Sequence, residues 1–476
     1  MQPTRPGDRR LGIAIVGGGA SGTLAAVQLL AHATAREIPV DITLIDAHGR
    51  HGLGLAYSTT HPGHLLNAMA RQMSALPDDP DHLVRWAAAN LAPGRTLSAS
   101  TFLPRHAYGQ YLRDTLAAAE AAAGQDSRLS RIQSQAVAIN RAGVAGPLQV
   151  VLTDGEVSAD VVVLATGNAT SELPFTTPAS DLIIADPWLP GALDALGDGA
   201  PVVIAGTGLT MIDLAIAITS ANPATRVHAV SRHGLLPRAH PGESAAVPRP
   251  MWLPVISRTT GPVRLGELIW QIRQAVSANP ANWPAVMESL RPYLPGLWRR
   301  MPASDKRLFL RHVARYWEVH RHLMPPATAS RITALRCTGQ LSVHRGQVLS
   351  VRAVSGRLSV LIDAGADVID IAAGAIFNGT GATADITTTS NPLLRHLFAT
   401  GMARPDPLRL GIDATAQGAV IGGAGVPSDA IYTLGPPLRG LWYETTAVPE
   451  IREQAAALAQ RITAQHGLNQ RSGSAA

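Results

Sequence analysis

Apolar residues along this chain fall into two rhythms. Short, near-continuous runs rich in β-branched and small residues occupy 11–16, 40–45, 160–165, 201–206, 226–231 and 375–381, as expected of strands covered on both faces. Between them lie Ala- and Leu-rich stretches with a helical period: 20–35, 108–123, 209–219, 265–278, 283–294 and 305–319. Shorter runs at 136–141, 148–152 and 341–362 read as further strands. The alternation of buried strand and helix predicts an α/β protein. Residues 48–110 break it with a loop-rich, mixed segment. The Pro-, Asp- and Gly-rich stretch 171–200 reads as a crossing between domains. A last helix is expected near Val448 and Pro449, and the tail from Gly467 is expected to fray.

Two glycine-rich turns give the pattern its chemistry. Gly17-Gly18-Gly19-Ala20-Ser21-Gly22 follows the first strand, and Gly206-Thr207-Gly208-Leu209-Thr210-Met211 follows the strand at 201–206. Where a strand turns into a helix, such spacing lets backbone approach a pyrophosphate and aims helix N–H groups at it. Two such turns a domain apart point to two dinucleotides, FAD and NAD(P)H. The expected fold is therefore two Rossmann-like dinucleotide-binding domains with a helical insertion. Residues 1–170 form the first part of the FAD domain and 171–365 the NAD(P)H domain, with the insertion at about 245–330. Residues 366–476 form the return segment and C-terminal helix.

Around the first turn, Gly17, Gly19, Ser21 and Gly22 are expected to bind FAD. Asp46, at the end of the second strand, takes the ribose hydroxyls, with a plain surface acid as the alternative. In the second turn Gly206, Gly208 and Thr210 are the nucleotide contacts. Met211 replaces the third glycine, and Asp213 reads as a helix-start charge. Arg232 stands where an NAD enzyme carries an acid, which favours the 2′-phosphate of NADPH over NADH, with a plain surface arginine as the alternative. Two segments ending in Thr-Gly, Thr166-Gly167 and Thr380-Gly381, return the chain across the nucleotide sites. Arg311, His312, Trp317, His320, Arg321 and His322 crowd the end of the insertion, either lining an anionic substrate pocket or forming a solvated face. A helix starting at Val448 after Thr446 aims its N–H groups at the flavin's N1–C2=O edge.

Composition narrows the rest. Hydrophobic residues make up 46% and charged ones 16%, so the chain is globular. The net charge of +6 is carried by scattered arginines with Lys306 as the single lysine, which argues against nucleic acid. One cysteine, Cys337, excludes an internal disulfide and fits a cytoplasmic setting. Sixteen histidines lack metal-ligand spacing, so no metal is expected. Arg9-Arg10 before an apolar stretch is explained by a buried first strand and helix, so neither a targeting segment nor a membrane span is expected. The expected partners are a small-molecule substrate and a second copy in a homo-oligomer.

The chain resembles the FAD/NAD(P)-binding proteins of the YdhS type, which are similar to flavin-dependent N-hydroxylating monooxygenases. The resemblance runs nearly end to end. It rests on the first glycine turn, Gly54-Leu55-Ala56-Tyr57-Ser58, His64-Leu65-Leu66-Asn67, Met73-Ser74 with Pro77, Asp78 and Trp86, and Phe102-Leu103-Pro104-Arg105. It continues through Tyr108-Gly109-Gln110-Tyr111-Leu112, the second turn, residues 231–237, and Glu444-Thr445-Thr446-Ala447-Val448-Pro449-Glu450. It implies further cofactor contacts at Asn67, Met73, Ser74, Arg105 and Val137, beside Thr166, Gly167, Gly381, Thr446 and Val448. It also implies NAD(P)H-driven oxygenation of a small, amine-bearing substrate. The N-hydroxylase signature is matched at Asp160 and at Leu164-Ala165-Thr166-Gly167. Asn168 replaces its tyrosine, and Pro174 falls one residue late. A flavin reductase without oxygenation and a non-catalytic nucleotide sensor are the alternatives, and the sequence assigns no catalytic residue.

Overall fold

The first apolar run forms β1 (Leu11–Val16), the glycine turn opens α1 (Ala20–Ala35), and the next run forms β2 (Val40–Asp46). The computed structural model describes residues 10–473 except 95, 142, 144, 145, 170, 190, 194, 195, 197, 198, 242–260, 279, 281, 282, 366 and 382–384, with side chains to 466. The start of the expected insertion thus lies outside the described residues. The chain continues through α2 (His82–Leu91), α3 (Arg105–Ala122), β3 (Arg128–Gln133), β4 (Ala136–Arg141), β5 (Leu148–Leu152), β6 (Gly155–Ala159) and β7 (Val161–Leu164). Then come β8 (Ile183–Ile184), β9 (Val202–Ala205), α4 (Leu209–Ala221) and β10 (Val227–Ser231). A helical stretch from Leu265 to Cys337 precedes β11 (Leu341–Arg345), β12 (Gln347–Val354), β13 (Arg357–Asp363), β14 (Val368–Ala373) and β15 (Ala375–Asn378). The return adds β16 (Ala419–Ile421), β17 (Pro427–Thr433) and a final helix, Val448–Gly473.

Two units result. The first comprises Met1–Ser58, Met69–Ala169 and Thr383–Ala476; the second comprises Thr59–Ala68 and Thr170–Ala382. In the first unit the sheet order is β16-β17-β7-β1-β2-β3, parallel except for the β16–β17 pair. β4, β5 and β6 form a separate antiparallel sheet. In the second unit the order is β11-β10-β9-β15-β8, with every pair parallel, and β12, β13 and β14 form an antiparallel sheet. Each main sheet has the strand order and covering helices of a Rossmann-like domain.

The apolar stretch after Arg10 is explained by burial. In α1, Leu24, Leu29 and Leu30 are fully enclosed between the sheet, α3 and the final helix. Truncating any of them to Ala would cost about 2–5 kcal/mol. No helix among the described residues is long and apolar enough to cross a membrane.

Several elements escaped the sequence pattern. α2 lies inside the supposed loop region, where only Leu83 and Ala87 are buried. β3 and β6 are mostly exposed and carry no clean alternation. α3 begins at Arg105, three residues before the expected start, because Pro104 precedes it in extended conformation. Residues 305–319 are not one regular helix: a π turn, Phe309–Val313, separates Ala303–Leu308 from Ala314–Arg321. The final helix continues past Gly467, where fraying was expected.

Candidate functional site

The first glycine turn is built by contacts that leave no room for a side chain. Gly17 has φ +111°, and a Cβ there would lie 2.1 Å from the Ala165 carbonyl oxygen. At Gly22 a Cβ would lie 1.9 Å from Gly17 O, so α1 can start this close to β1 only with glycine. A Cβ at Gly19 would lie 3.3 Å from Gly54 Cα, and Gly54 itself has φ +52°. Gly19 is the N-cap of α1 without a side-chain cap, so the first-turn N–H groups are left for another acceptor. Asp46 anchors this turn: Oδ2 accepts from Gly18 N at 3.1 Å, and Oδ1 accepts from His48 N and Arg50 N at 3.0 and 2.9 Å. Three of the four acceptor positions of a carboxylate are thus taken, leaving one for a hydroxyl.

At the end of β7, Thr166 Oγ1 is buried without a hydrogen-bond partner among the described residues. Gly167 has φ +71° with nothing within 4 Å of a Cβ. Close backbone approach is therefore made by Ala165, and Gly167 faces open space. In the antiparallel sheet of the same unit, the β4–β5 register slips at Val137, which is left out of the pairing. An orphaned hydroxyl, a backbone cradle and uncommitted helix N–H groups fit an adenosine pyrophosphate.

Other expected FAD contacts are held by the protein itself. Ser74 is fully buried, and its hydroxyl donates to Asp79 O at 2.6 Å, so it ties its own loop. Its carbonyl accepts from Arg452 Nη1 at 3.1 Å, and Ala75 N donates to Tyr111 Oη at 2.9 Å. Met73 is buried, and Arg105 occupies the first position of α3. Tyr57 and Tyr108 stack edge to face at 4.7 Å. Burial pushes the Tyr57 hydroxyl up to about 12 against the pull of Arg105, and raises Tyr108 as well, so both stay protonated. Asn67 belongs to the short segment of the second unit. Asp160, from the N-hydroxylase signature, accepts from Gly12 N at 2.9 Å and clamps β1.

The C-terminal segment contributes a lock that the sequence did not reveal. Gly435, at φ +73°, would place a Cβ 2.5 Å from Ser21 Oγ, at the start of α1. Its N–H donates to Gln454 Oε1 at 2.8 Å, and its carbonyl accepts from Thr445 Oγ1 at 3.1 Å. Gln454 Nε2 closes the ring on Thr445 Oγ1 at 2.7 Å. Thr446 is exposed, whereas Val448, the first residue of the final helix, is buried.

The second unit repeats the cradle. Gly206 has φ +112°, and a Cβ there would lie 2.3 Å from Gly379 O. Gly379, and not Gly381, therefore makes the close approach; Gly381 has φ +85° and open surroundings. Gly208 also has nothing within 4 Å of a Cβ. Thr207 Oγ1 lies 2.8 Å from Ser231 Oγ and donates to Leu235 O at 2.6 Å. Met211 fits in the third-glycine position because its side chain turns fully into the core, and Thr210 sits in the first turn of α4. Asp213 is buried, not an exposed helix-start charge. Its carbonyl accepts from His64 Nε2 at 2.9 Å, so Nδ1 of that ring accepts from Thr59 Oγ1 at 2.7 Å. Arg232 is exposed just beyond β10.

The polar cluster of the helical stretch is largely spoken for. Arg321 pairs with Glu288 at 3.2 Å, and His320 Nδ1 lies 2.7 Å from Tyr316 O. Arg311 and His312 are exposed on the π turn, and Trp317 packs near Phe309 with ring centroids 6.1 Å apart. Among the described residues no group of three or more His, Cys, Asp or Glu is placed to hold a metal.

Residues 14–169 match the FAD-NAD(P)-binding family model. Among curated proteins no relative is detected by sequence. The fold is similar to that of L-lysine 6-monooxygenase from Pseudomonas syringae (TM-score 0.65, 14% identity, 95% of this chain and 99% of that one). It is also similar to an ornithine N-hydroxylase from Kutzneria sp. 744, solved with reduced FAD, NADP+ and L-ornithine (TM-score 0.60, 14% identity, 96% and 100%). A bacillithiol disulfide reductase from Bacillus cereus shares it at TM-score 0.54 and 12% identity, over 96% and 100%.

Proposed function

We propose that the protein is an FAD-dependent, NAD(P)H-using oxidoreductase, and that it is a monooxygenase acting on a small amine-bearing substrate. The observation that carries the reading is the pair of cradles, the first with Gly17 and Gly22 and the second with Gly206 demanded by nearby backbone, and with Gly167, Gly208 and Gly381 facing open space. In the first unit, Gly17, Gly19, Ser21 and Gly22 with the start of α1 would hold the FAD pyrophosphate. Asp46 would take a ribose hydroxyl on its remaining acceptor position, and Val137 and Thr166 would meet the adenosine half. Thr446 and Val448 would present N–H groups to the flavin ring. In the second unit, Gly206, Gly208, Thr210 and Gly381 would receive NADPH, with Arg232 on its 2′-phosphate. Bound FAD supplies two-electron exchange with a nicotinamide and reaction with oxygen, so the residues bind, orient and exclude water rather than transfer protons.

A second reading, a reductase passing electrons to another acceptor, is favoured by Asn168 in place of the signature tyrosine. Anaerobic reduction by NADPH followed by mixing with oxygen separates the two. A transient spectrum distinct from oxidised and reduced flavin, with one oxygen atom recovered in product when lysine, ornithine or cadaverine is supplied, supports the monooxygenase. Immediate return to oxidised flavin with none supports the reductase. A purified protein devoid of flavin, unable to take up added FAD, would overturn both.

A further inference from the structure

The tip of β11 carries a second arginine placed like Arg232. β10 and β11 are parallel with Ser231 opposite Arg345, so Arg232 and Arg345 stand at adjacent strand ends. The turns beyond those strands are tied together. Gly346 N donates to Ser231 O at 2.9 Å, and a Cβ at Gly234 (φ +60°) would lie 3.0 Å from Arg345 Cβ. Ser231 Oγ in turn accepts from Gly234 N at 3.1 Å and meets Thr207 of the glycine turn. Both arginines are exposed, and among the described residues neither guanidinium has an ion pair or hydrogen bond.

A dinucleotide on such a sheet lays its pyrophosphate at the glycine turn after β9 and its adenosine over β10. The next strand on that side is β11, so a 2′ substituent leaves the ribose between the two arginines. A phosphate presents three oxygens, and one guanidinium fork engages two of them. Two unpaired like charges at neighbouring tips repel until a dianion lies between them. We propose that Arg345 is a second 2′-phosphate anchor, so that selectivity for NADPH is set by an arginine pair drawn from two strands. This rests on the reading of the second unit as the NADPH site.

The test is calorimetric titration of the FAD-loaded full chain with 2′,5′-ADP and with 5′-AMP, alongside KM for NADPH and NADH in flavin reduction. Wild type should prefer 2′,5′-ADP by about a hundredfold, and Arg345→Ala should cut that preference about tenfold. KM for NADH should stay within about twofold, and Arg345→Lys should recover part of the loss. Arg345→Gln, which keeps the aliphatic stem, serves if the alanine protein loses FAD. Undiminished preference in Arg345→Ala and Arg345→Gln, with loss in Arg232→Ala, overturns the role of Arg345 and leaves the NADPH reading standing. No preference in wild type overturns both.

Discussion

Gly206 and Gly208 are two residues apart and demand glycine for opposite reasons, which makes substitution at each a sharp test. At Gly206 a methyl group would lie 2.3 Å from Gly379 O on a backbone at φ +112°. The conformation alone costs about 1–3 kcal/mol for a residue with a Cβ. Overpacking against backbone that cannot rotate away adds about 1–3 kcal/mol. The sum, about 2–6 kcal/mol, is a large share of the 5–15 kcal/mol typical of a folded protein. Gly206→Ala should therefore lower the unfolding temperature steeply. Gly208 has φ −82° and ψ −168°, and an added Cβ meets nothing. Alanine there gains about 0.4–1 kcal/mol from a stiffer unfolded chain and loses about 0.5–1 kcal/mol as a poorer N-cap, so stability should hold to within about 1 kcal/mol. The open space is where the phosphates would lie. Gly208→Ala should raise the NADPH Kd about ten- to a hundredfold, or about 1.4–2.7 kcal/mol, with FAD content unchanged. Thermal unfolding followed by circular dichroism and anaerobic NADPH titration of the flavin spectrum read the two quantities separately. A Gly208→Ala protein that is folded and binds NADPH like wild type would refute the placement of the phosphates. A Gly206→Ala protein as stable as wild type would refute the cradle.

Arg232→Ala should raise the NADPH KM about tenfold and leave NADH nearly untouched, since a charge-assisted phosphate contact contributes about 1.5–3 kcal/mol; equal losses for both nucleotides would exclude a 2′-phosphate contact. Gln454→Ala orphans the Gly435 N–H, which should cost about 1–3 kcal/mol and loosen FAD retention, checked by flavin release on mild heating; unchanged release separates the lock from the FAD site. His228 is held at about 4, first by burial and then by His344, whose ring lies 3.1 Å away nitrogen to nitrogen. With its folded pKa depressed below 6.5, the stability it supports is whole above pH 6.5 and declines as pH falls toward 4. His228→Gln should flatten the fall in unfolding temperature across that window, and an unchanged slope would place the acid sensitivity elsewhere.

The glycine turns and their flanking strands and helices were legible because buried parallel strands and strand-to-helix turns impose composition directly; the return to the first unit, expected from about residue 366, begins only at Thr383, because β14 and β15 belong to the second unit. β3 and β6 were not, since exposed edge strands carry no obligatory alternation. Nor were β16 and β17, whose pairing is bulged and whose sequence is broken by glycines. At the site, Gly381 and Gly167 face open space, and their neighbours Gly379 and Ala165 make the close contacts. A one-dimensional motif marks the turn, not the atom beneath it. The ring of Gly435, Thr445 and Gln454 joins residues whose spacing follows no helix or strand period. Only the folded backbone brings them together.

The excursion of residues 59–68 into the second unit has a consequence for how the chain is made. His64 hangs on the carbonyl of Asp213, which leaves the ribosome about 150 residues later, as the numbering separates them by 149. The first unit waits longer still, because β7 lacks its neighbour β17, and α1 its covering helix, until the last hundred residues are synthesised. Domains ordinarily fold as they emerge, the N-terminal one first. Here that order is reversed: the second unit can close at about residue 382, while α1 still carries an uncovered apolar face. A fragment cut at either end of 170–382 inherits the same deficit, so the protein is a poor subject for expression in pieces.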